Sequence, residues 1–280
     1  MSKYAVFTMD VEAFCDTECL KNKGLENYNQ MFDGITNYMA LLERYDIKAD
    51  FFVVANIADQ IKDTLKKAVS KGHRIAIHGL SHTAPMLLSK EQFKEDILAA
   101  KYKLEKMFDT EVIGHRAPCF SIDDDRIDGL KEIVIRYDSS YLNNPITYYY
   151  GNVNIKKFKS IKKGLYKKDN LLEFSLPKYN NIPMGGGGYI RLLPWSFMKG
   201  KLSKFLDNNE IYIFYLHPFE VSNVELPKRI KRLRLYDKFY LKHNKGHRYL
   251  EKIEKIINML IDKGFIFTTF EDLISKEIRD

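Results

Sequence analysis

Cysteine is scarce in this chain: three residues in 280, an odd number and too few for a disulfide framework. Cys15 and Cys19 are spaced C-x3-C, but no second pair completes a structural zinc site, so these two and Cys119 read as free thiols. No apolar run approaches the ~20 residues needed to cross a bilayer. The start, Met-Ser-Lys running straight into Tyr4-Ala-Val-Phe-Thr, lacks the basic and apolar regions of a secretion signal, so a cytoplasmic protein is expected. Internal repeats and low-complexity linkers are absent, which favours one domain over 1–280. Hydrophobic residues at 45% and charged residues at 29% exclude a disordered chain.

Positive charge is present, but in one place. Segment 228–248, KRIKRLRLYDKFYLKHNKGHR, holds nine Lys or Arg and a single acid, Asp237. Outside it 36 basic and 36 acidic residues remain, so the net +8 lies entirely in this segment. Such a run is either a solvated surface or a face for phosphate, an acidic glycan or an anionic membrane; the latter would make the protein peripheral to the inner membrane face. No recognised nucleic-acid motif accompanies it, so nucleic acid is not an expected partner.

Strand-like runs at Tyr4–Met9, Ala49–Ala55, Arg74–Ile77, Glu111–His115, near Tyr137, Ile211–Leu216 and Phe265–Thr269 alternate with helical patterns. The helical stretches include Tyr28–Tyr45, Ile57–Ser70, Lys90–Phe108 and Arg248–Asp262; the third opens on a capping box, Ser89-Lys-Glu-Gln92. Repeated β-then-α order predicts an α/β fold, a closed or nearly closed (β/α) barrel of about seven parallel strands, with a flat doubly wound sheet as the competitor. Residues 143–183 break the rhythm and read as a short strand-rich insertion.

In a parallel barrel the C-terminal strand ends carry the chemistry. Here they carry Asp10 and Glu12, His78 and His82, Arg116, Asp138 and His217. Singly, each has an ordinary explanation: Asp10 could cap a helix, Arg116 could pair on the surface. Asp10 and Glu12, one residue apart on extended backbone, face the same way. Two imidazoles and one carboxylate leaving a position open suit catalytic zinc or a related divalent ion. The same spacing in His243-Asn-Lys-Gly-His247 sits among Lys242, Lys245 and Arg248, where cations oppose a dication.

Phe7-Thr-Met-Asp10-Val-Glu12, His78-Gly-Leu-Ser-His82, Arg116-Ala-Pro118, Asp138-Ser-Ser-Tyr141 and Leu216-His217-Pro218 run in the order of five motifs of a known family. The chain resembles the polysaccharide deacetylase (NodB-homology) family, which has a distorted (β/α) barrel. The stretch Gly185-Gly-Gly-Gly-Tyr-Ile-Arg-Leu-Leu-Pro-Trp195 and FYLHPFE resemble the branch associated with exopolysaccharide and lipopolysaccharide biosynthesis. Two departures stand out: Val11 occupies the place of the family's second aspartate, and Tyr141 stands near the usual tryptophan.

The resemblance implies removal of an N-acetyl group from an amino sugar in a surface glycan or in its nucleotide- or lipid-linked precursor. It implies Zn2+ on Glu12, His78 and His82, with Asp10 as base and His217 as acid. Arg116 would aim Asp10, and Asp138 would orient His217. Cys119, Tyr141, Trp195 and Leu216 would meet the substrate, with the Cys119 backbone near the oxyanion. A deformylase or amidohydrolase acting on another amide, and a non-catalytic glycan-binding module, are the alternatives.

Overall fold

Along the first strand, Val6, Thr8 and Asp10 face one side and Ala5, Phe7, Met9 and Val11 the other, and all seven are buried. Burial on both faces is what a parallel strand between a barrel interior and a helical layer requires. The computed structural model describes residues 2–142, 151–228, 230 and 233–277. Its first half runs β1 (Lys3–Val11), α1 (Asp33–Glu43), β2 (Ala49–Val53), α2 (Lys62–Ser70), β3 (Arg74–Ile77), α3 (Lys90–Phe108), β4 (Gly114–His115), α4 (Asp124–Glu132) and β5 (Tyr137–Asp138). Then come β6 (Lys159–Lys162), β7 (Leu165–Lys168), β8 (Leu171–Phe174), β9 (Lys178–Tyr179), β10 (Ile182–Pro183), α5 (Gly187–Leu192) and α6 (Trp195–Asp207). The chain finishes with β11 (Ile211–Phe214), α7 (Pro218–Val221), α8 (Leu235–Lys242), α9 (His247–Asp262), β12 (Phe265–Thr268) and α10 (Phe270–Glu277).

The strands line up as β11-β1-β2-β3-β4-β5-β8 through parallel pairs, with β12 parallel to the first half of β1. This is the expected barrel-like arrangement with one addition. β8 lies inside the stretch read as an insertion, yet it pairs in parallel with β5 and extends the barrel wall. Only β7 and β6 continue antiparallel beyond it. Residues 143–150 of the predicted insertion, and Arg229, Lys231 and Arg232 of the basic segment, lie outside the described residues.

Between β8 and β11 the mouth is bridged by main chain. Met184 N donates to the Pro177 carbonyl (2.8 Å), Tyr215 N to Gly185 (2.7 Å) and Gly187 N to Tyr215 (3.0 Å). Gly186 makes this bridge possible: its φ is +125°, and a Cβ there would overlap the Tyr215 carbonyl oxygen.

Helices pack outside. α9 turns Tyr249, Lys252, Ile253, Ile256, Ile257 and Leu260 inward at helical spacing. Its buried Lys252 donates to the carbonyls of Ile190, Arg191 and Leu193, satisfying the C-terminal end of α5. The Ser89–Gln92 box caps α3 as its spacing predicts. By contrast α1 starts only at Asp33, because Met31 adopts φ +62°. Inside the barrel, Phe52, Tyr137, Phe174 and Phe270 form a ring cluster, with Tyr137 and Phe270 4.9 Å apart and Phe174 and Phe270 4.6 Å apart. Asp50 sits beside it, accepting from Phe270 N and Tyr137 OH; burial pushes its carboxyl up to about 8. Among the described residues no helix is long and apolar enough to cross a membrane.

Two glycines should respond oppositely to alanine. Gly186→Ala should lower unfolding stability by about 2–3 kcal/mol through strain and overlap at the bridge. Gly200→Ala in α6, where a Cβ meets nothing within 4 Å, should raise it by ~0.5–1 kcal/mol. Urea unfolding midpoints of the two variants against the parent chain measure both.

Candidate active site

The C-terminal strand ends converge on a cleft of about 660 Å³ whose floor includes Asp10, Glu12, His78, His82 and His217. Past β1 the backbone curls, Glu12 N donating to the Asp10 carbonyl at 3.1 Å, and this lifts Glu12 over the mouth. Its Oε2 lies 2.6 Å from His82 Nε2 and 4.0 Å from His78 Nε2. One donor atom from each of the three falls within 4.8 Å of the others, a grouping that could hold a metal ion.

The donor chemistry fits such an ion. His78 Nδ1 donates to the Arg116 carbonyl at 2.8 Å, which fixes the tautomer and leaves Nε2 a lone pair aimed at Glu12. Burial pushes the His78 imidazolium down to about 4, so the ring is neutral near pH 7, as a ligand must be. Burial opposes charge on Glu12 too. The charges of His82 and His217, the His82 hydrogen bond and His78 outweigh it and hold that carboxyl down at about 2. The His82 Nδ1 atom, on the other side of the ring from Glu12, is buried without a hydrogen-bond partner.

Asp10 is held from behind. The fully buried Arg116 donates through Nη1 to Asp10 Oδ1 and to Thr8 Oγ1, both at 2.7 Å. Nε and Nη2 donate to the Ser139 carbonyl and hydroxyl, each at 2.9 Å, and the guanidinium stacks 4.1 Å over Phe52.

His217 caps α7, with Pro218 at the first helical position and Glu220 at the third. Glu220 Oε2 accepts from His217 N (3.0 Å) and Nδ1 (3.1 Å); Glu220 Oε1 accepts from Arg191 Nε (2.8 Å). Burial alone would discharge the imidazolium. Glu12, the Glu220 hydrogen bond and charge, and Asp10 override it and push His217 up to about 9.

Asp138 requires a correction: it does not touch His217. In the parallel register it sits beside His115, and its Oδ1 takes His115 Nδ1 at 2.6 Å, while Ser140 and the buried Glu173 carboxyl also bond the carboxylate. The orienting acid is Glu220, missed in the sequence although a carboxylate three residues past a His-Pro helix start is a capping signature. Arg191 behind it lies in the Gly185–Trp195 stretch, but nothing in that stretch pairs it with Glu220.

Cys119 lines the cleft, with its backbone in the left-handed region at φ +56°. The other three expected substrate contacts lie elsewhere. Leu216 is buried in the core beneath the floor, its carbonyl accepting from Asp10 N. Tyr141 packs edge-on against Tyr166, and Trp195 lies at the outer start of α6 against the core. The aromatic walls are instead Phe120, Tyr189, Tyr215, Phe219, Tyr236 and Tyr240. The pair His243 and His247 is not assembled into a site: His243 stacks on Phe239, and His247 is exposed and pairs with Glu251, a carboxylate the spacing argument overlooked.

Residues 29–137 match the family model described as polysaccharide deacetylase, and residues 139–275 match a domain of unknown function, DUF3473. No curated protein matches the sequence. Among solved structures, a polysaccharide deacetylase assignment from Mycobacterium smegmatis superposes with a TM-score of 0.69 at 14% identity, over 100% of this chain and 92% of that one. The Xyl-CE4 domain of a multidomain xylanase from the hindgut metagenome of Trinervitermes trinervoides gives 0.54 at 12% identity, over 99% and 92%. A CE4 family pseudoenzyme from Bacillus anthracis gives 0.53 at 11% identity, over 97% and 65%. At such identities the superpositions speak to the fold, and the family model adds the sequence: His78, His82 and Arg116 all fall inside its span. Residues 29–137 are thus a polysaccharide deacetylase family domain, in a chain whose whole length shares the fold of the solved structures it resembles.

Proposed function

We propose that this protein is a metal-dependent hydrolase that removes an N-acetyl group from an amino sugar, working as one catalytic unit over 1–280. The observation that carries the reading is the convergence of Glu12, His78 and His82 beside Asp10 on one side and His217 on the other. The first two motifs come from one half of the chain and His217 from the other, joined by the β5–β8 and β1–β11 pairings.

Glu12, His78 and His82 would hold a divalent ion, Zn2+ by their mix of nitrogen and carboxylate donors. When bound, such an ion supplies positive charge that acidifies water and polarises an amide carbonyl. Asp10, aimed by Arg116, takes the proton from the attacking water. The backbone N–H near Cys119 would stabilise the oxygen that gains charge as the amide carbon becomes tetrahedral. His217, protonated and oriented by Glu220, gives its proton to the departing amine, which is a poor leaving group otherwise. The charge of segment 228–248 supports a phosphate-bearing sugar, a nucleotide- or lipid-linked precursor of a surface glycan, as substrate.

Purified protein should release acetate from an oligomer of N-acetylglucosamine, lose that activity with a chelator and regain it with Zn2+. His78→Ala and Asp10→Asn should each reduce kcat/KM by about 10²–10⁴. Formate release from an N-formyl sugar with no acetate release would replace this reading by a deformylase.

The pH profile gives a second check. His217 donates only while protonated, so kcat/KM should fall as pH rises through about 9, or somewhat lower where a bound cation offsets Glu12. Glu220→Gln removes a charge that raises His217, so its alkaline limb should move to lower pH. Asp138→Asn should leave the limb in place, since Asp138 bonds His115. A shift in Asp138→Asn and none in Glu220→Gln would reverse the assignment.

A further inference from the structure

Helix α8 forms part of the cleft wall with one flank and faces solvent with another. Tyr236, Asp237 and Tyr240 line the cleft, while Asp237 and Leu241 are buried beneath the helix. At 100° per residue, Leu235 and Phe239 share the centre of the opposite, outward face. They are 84% and 50% exposed, and Tyr236 at the boundary with the cleft is 64% exposed. Three of the twelve large apolar side chains exposed among the described residues therefore sit on this one eight-residue helix. Lys238 and Lys242 flank the pair on the side away from the cleft and are both exposed.

The helix is held firmly to the body. Arg234 bonds Asp237 through Nε (2.9 Å) and Nη2 (3.0 Å), which caps the first turn, and Tyr240 packs under the Arg191 guanidinium at 4.9 Å. That ion pair also neutralises the only acid between residues 228 and 248, so nothing anionic in the segment offsets its lysines and arginines.

We infer that the outward face of α8 docks on an anionic lipid bilayer and sets the cleft mouth against the membrane surface, where the sugar substrate is carried on a lipid. The docking stands on the surface itself; the substrate clause rests on the deacetylase reading above. Leucine and phenylalanine suit the boundary between headgroups and acyl chains, and tyrosine suits the headgroup level. The lysine stems run along apolar surface while their ammonium groups stay with lipid phosphates. Charge decides the occupant: an apolar patch flanked by Lys238 and Lys242 on the side away from the cleft complements a negative surface that is fluid enough to accept inserted rings. An apolar patch for a second copy of this chain would instead bring two cationic rims together. One helix of this length gives a reversible, salt-sensitive attachment that leaves the cleft open to a lipid-linked headgroup.

The full chain should sediment at low salt with vesicles of phosphatidylcholine mixed with phosphatidylglycerol, and be released by high salt or by omission of phosphatidylglycerol. Leu235→Ser with Phe239→Ser should weaken that partitioning about tenfold or more, since each loses most of a buried apolar side chain. Lys238→Gln with Lys242→Gln should flatten the salt dependence. Both double variants should hydrolyse a soluble N-acetylglucosamine oligomer like the parent, and His78→Ala should bind vesicles like the parent while losing hydrolysis. Failure of the parent to sediment, equal binding by the serine variant, or a vesicle-free dimer abolished by the serine pair would overturn the docking. Vesicle binding without acetate release in the parent would overturn the deacetylase reading alone.

Discussion

A guanidinium cannot shed its charge, so a fully buried arginine must be matched where it lies. Arg116 meets that requirement with Asp10 and Thr8 of β1, Ser139 beyond β5 and the face of Phe52 on β2. Its side chain thus joins the interior of the barrel across strands far apart in sequence. Its own carbonyl receives His78 Nδ1, so the same residue that aims the proposed base also fixes the tautomer of a proposed ligand. Taking away one partner of such a pair typically costs about 3–5 kcal/mol. The contact between Arg116 and Asp10 therefore serves the fold and the site at once.

The opposite wall repeats the design with different residues. Glu220 is buried between His217 and Arg191, and Arg191 gives Nη1 to the His243 carbonyl and stacks on Tyr240, while its Nη2 is buried without a hydrogen-bond partner. Lys252 then ties the carbonyl end of α5, which carries Arg191, to α9. Through these contacts the outer helices hold the imidazole at the mouth. They also explain why the chain invests two buried cations here: each closes polar groups that the short helices α5 and α7 cannot satisfy within themselves.

Much of this is legible in the sequence. The β-then-α rhythm predicts the parallel wall, and the strand-end positions of Asp10, Glu12, His78, His82, Arg116 and His217 follow from it once the fold is a barrel. What escaped depends on facts of three dimensions. β8 is four residues long and sits behind a lysine-rich hairpin, so periodicity could not separate it from an insertion. Asp138 stands at the right strand end, but sequence does not reveal that His115 is its register neighbour and captures it. Leu216 and Trp195 belong to the quoted motifs, but their places at a strand end and a helix start turn them into the core or outward.

The departure at Val11 has a structural cause. β1 alternates strictly, and Val11 points with Phe7 and Met9 into the apolar layer under the helices, where it is fully buried. An aspartate on this backbone at that place would bury a carboxylate among hydrocarbon with no partner, a cost of several kcal/mol or a shift to the neutral form. Moving the acid one residue onward returns it to the side of Asp10, after the curl that Glu12 N makes with the Asp10 carbonyl. The side chain then has to reach across to the second histidine, and the extra methylene of glutamate supplies that reach, ending at 2.6 Å from His82 Nε2. Position and residue type changed together because one alone would not have placed a carboxylate between the two imidazoles.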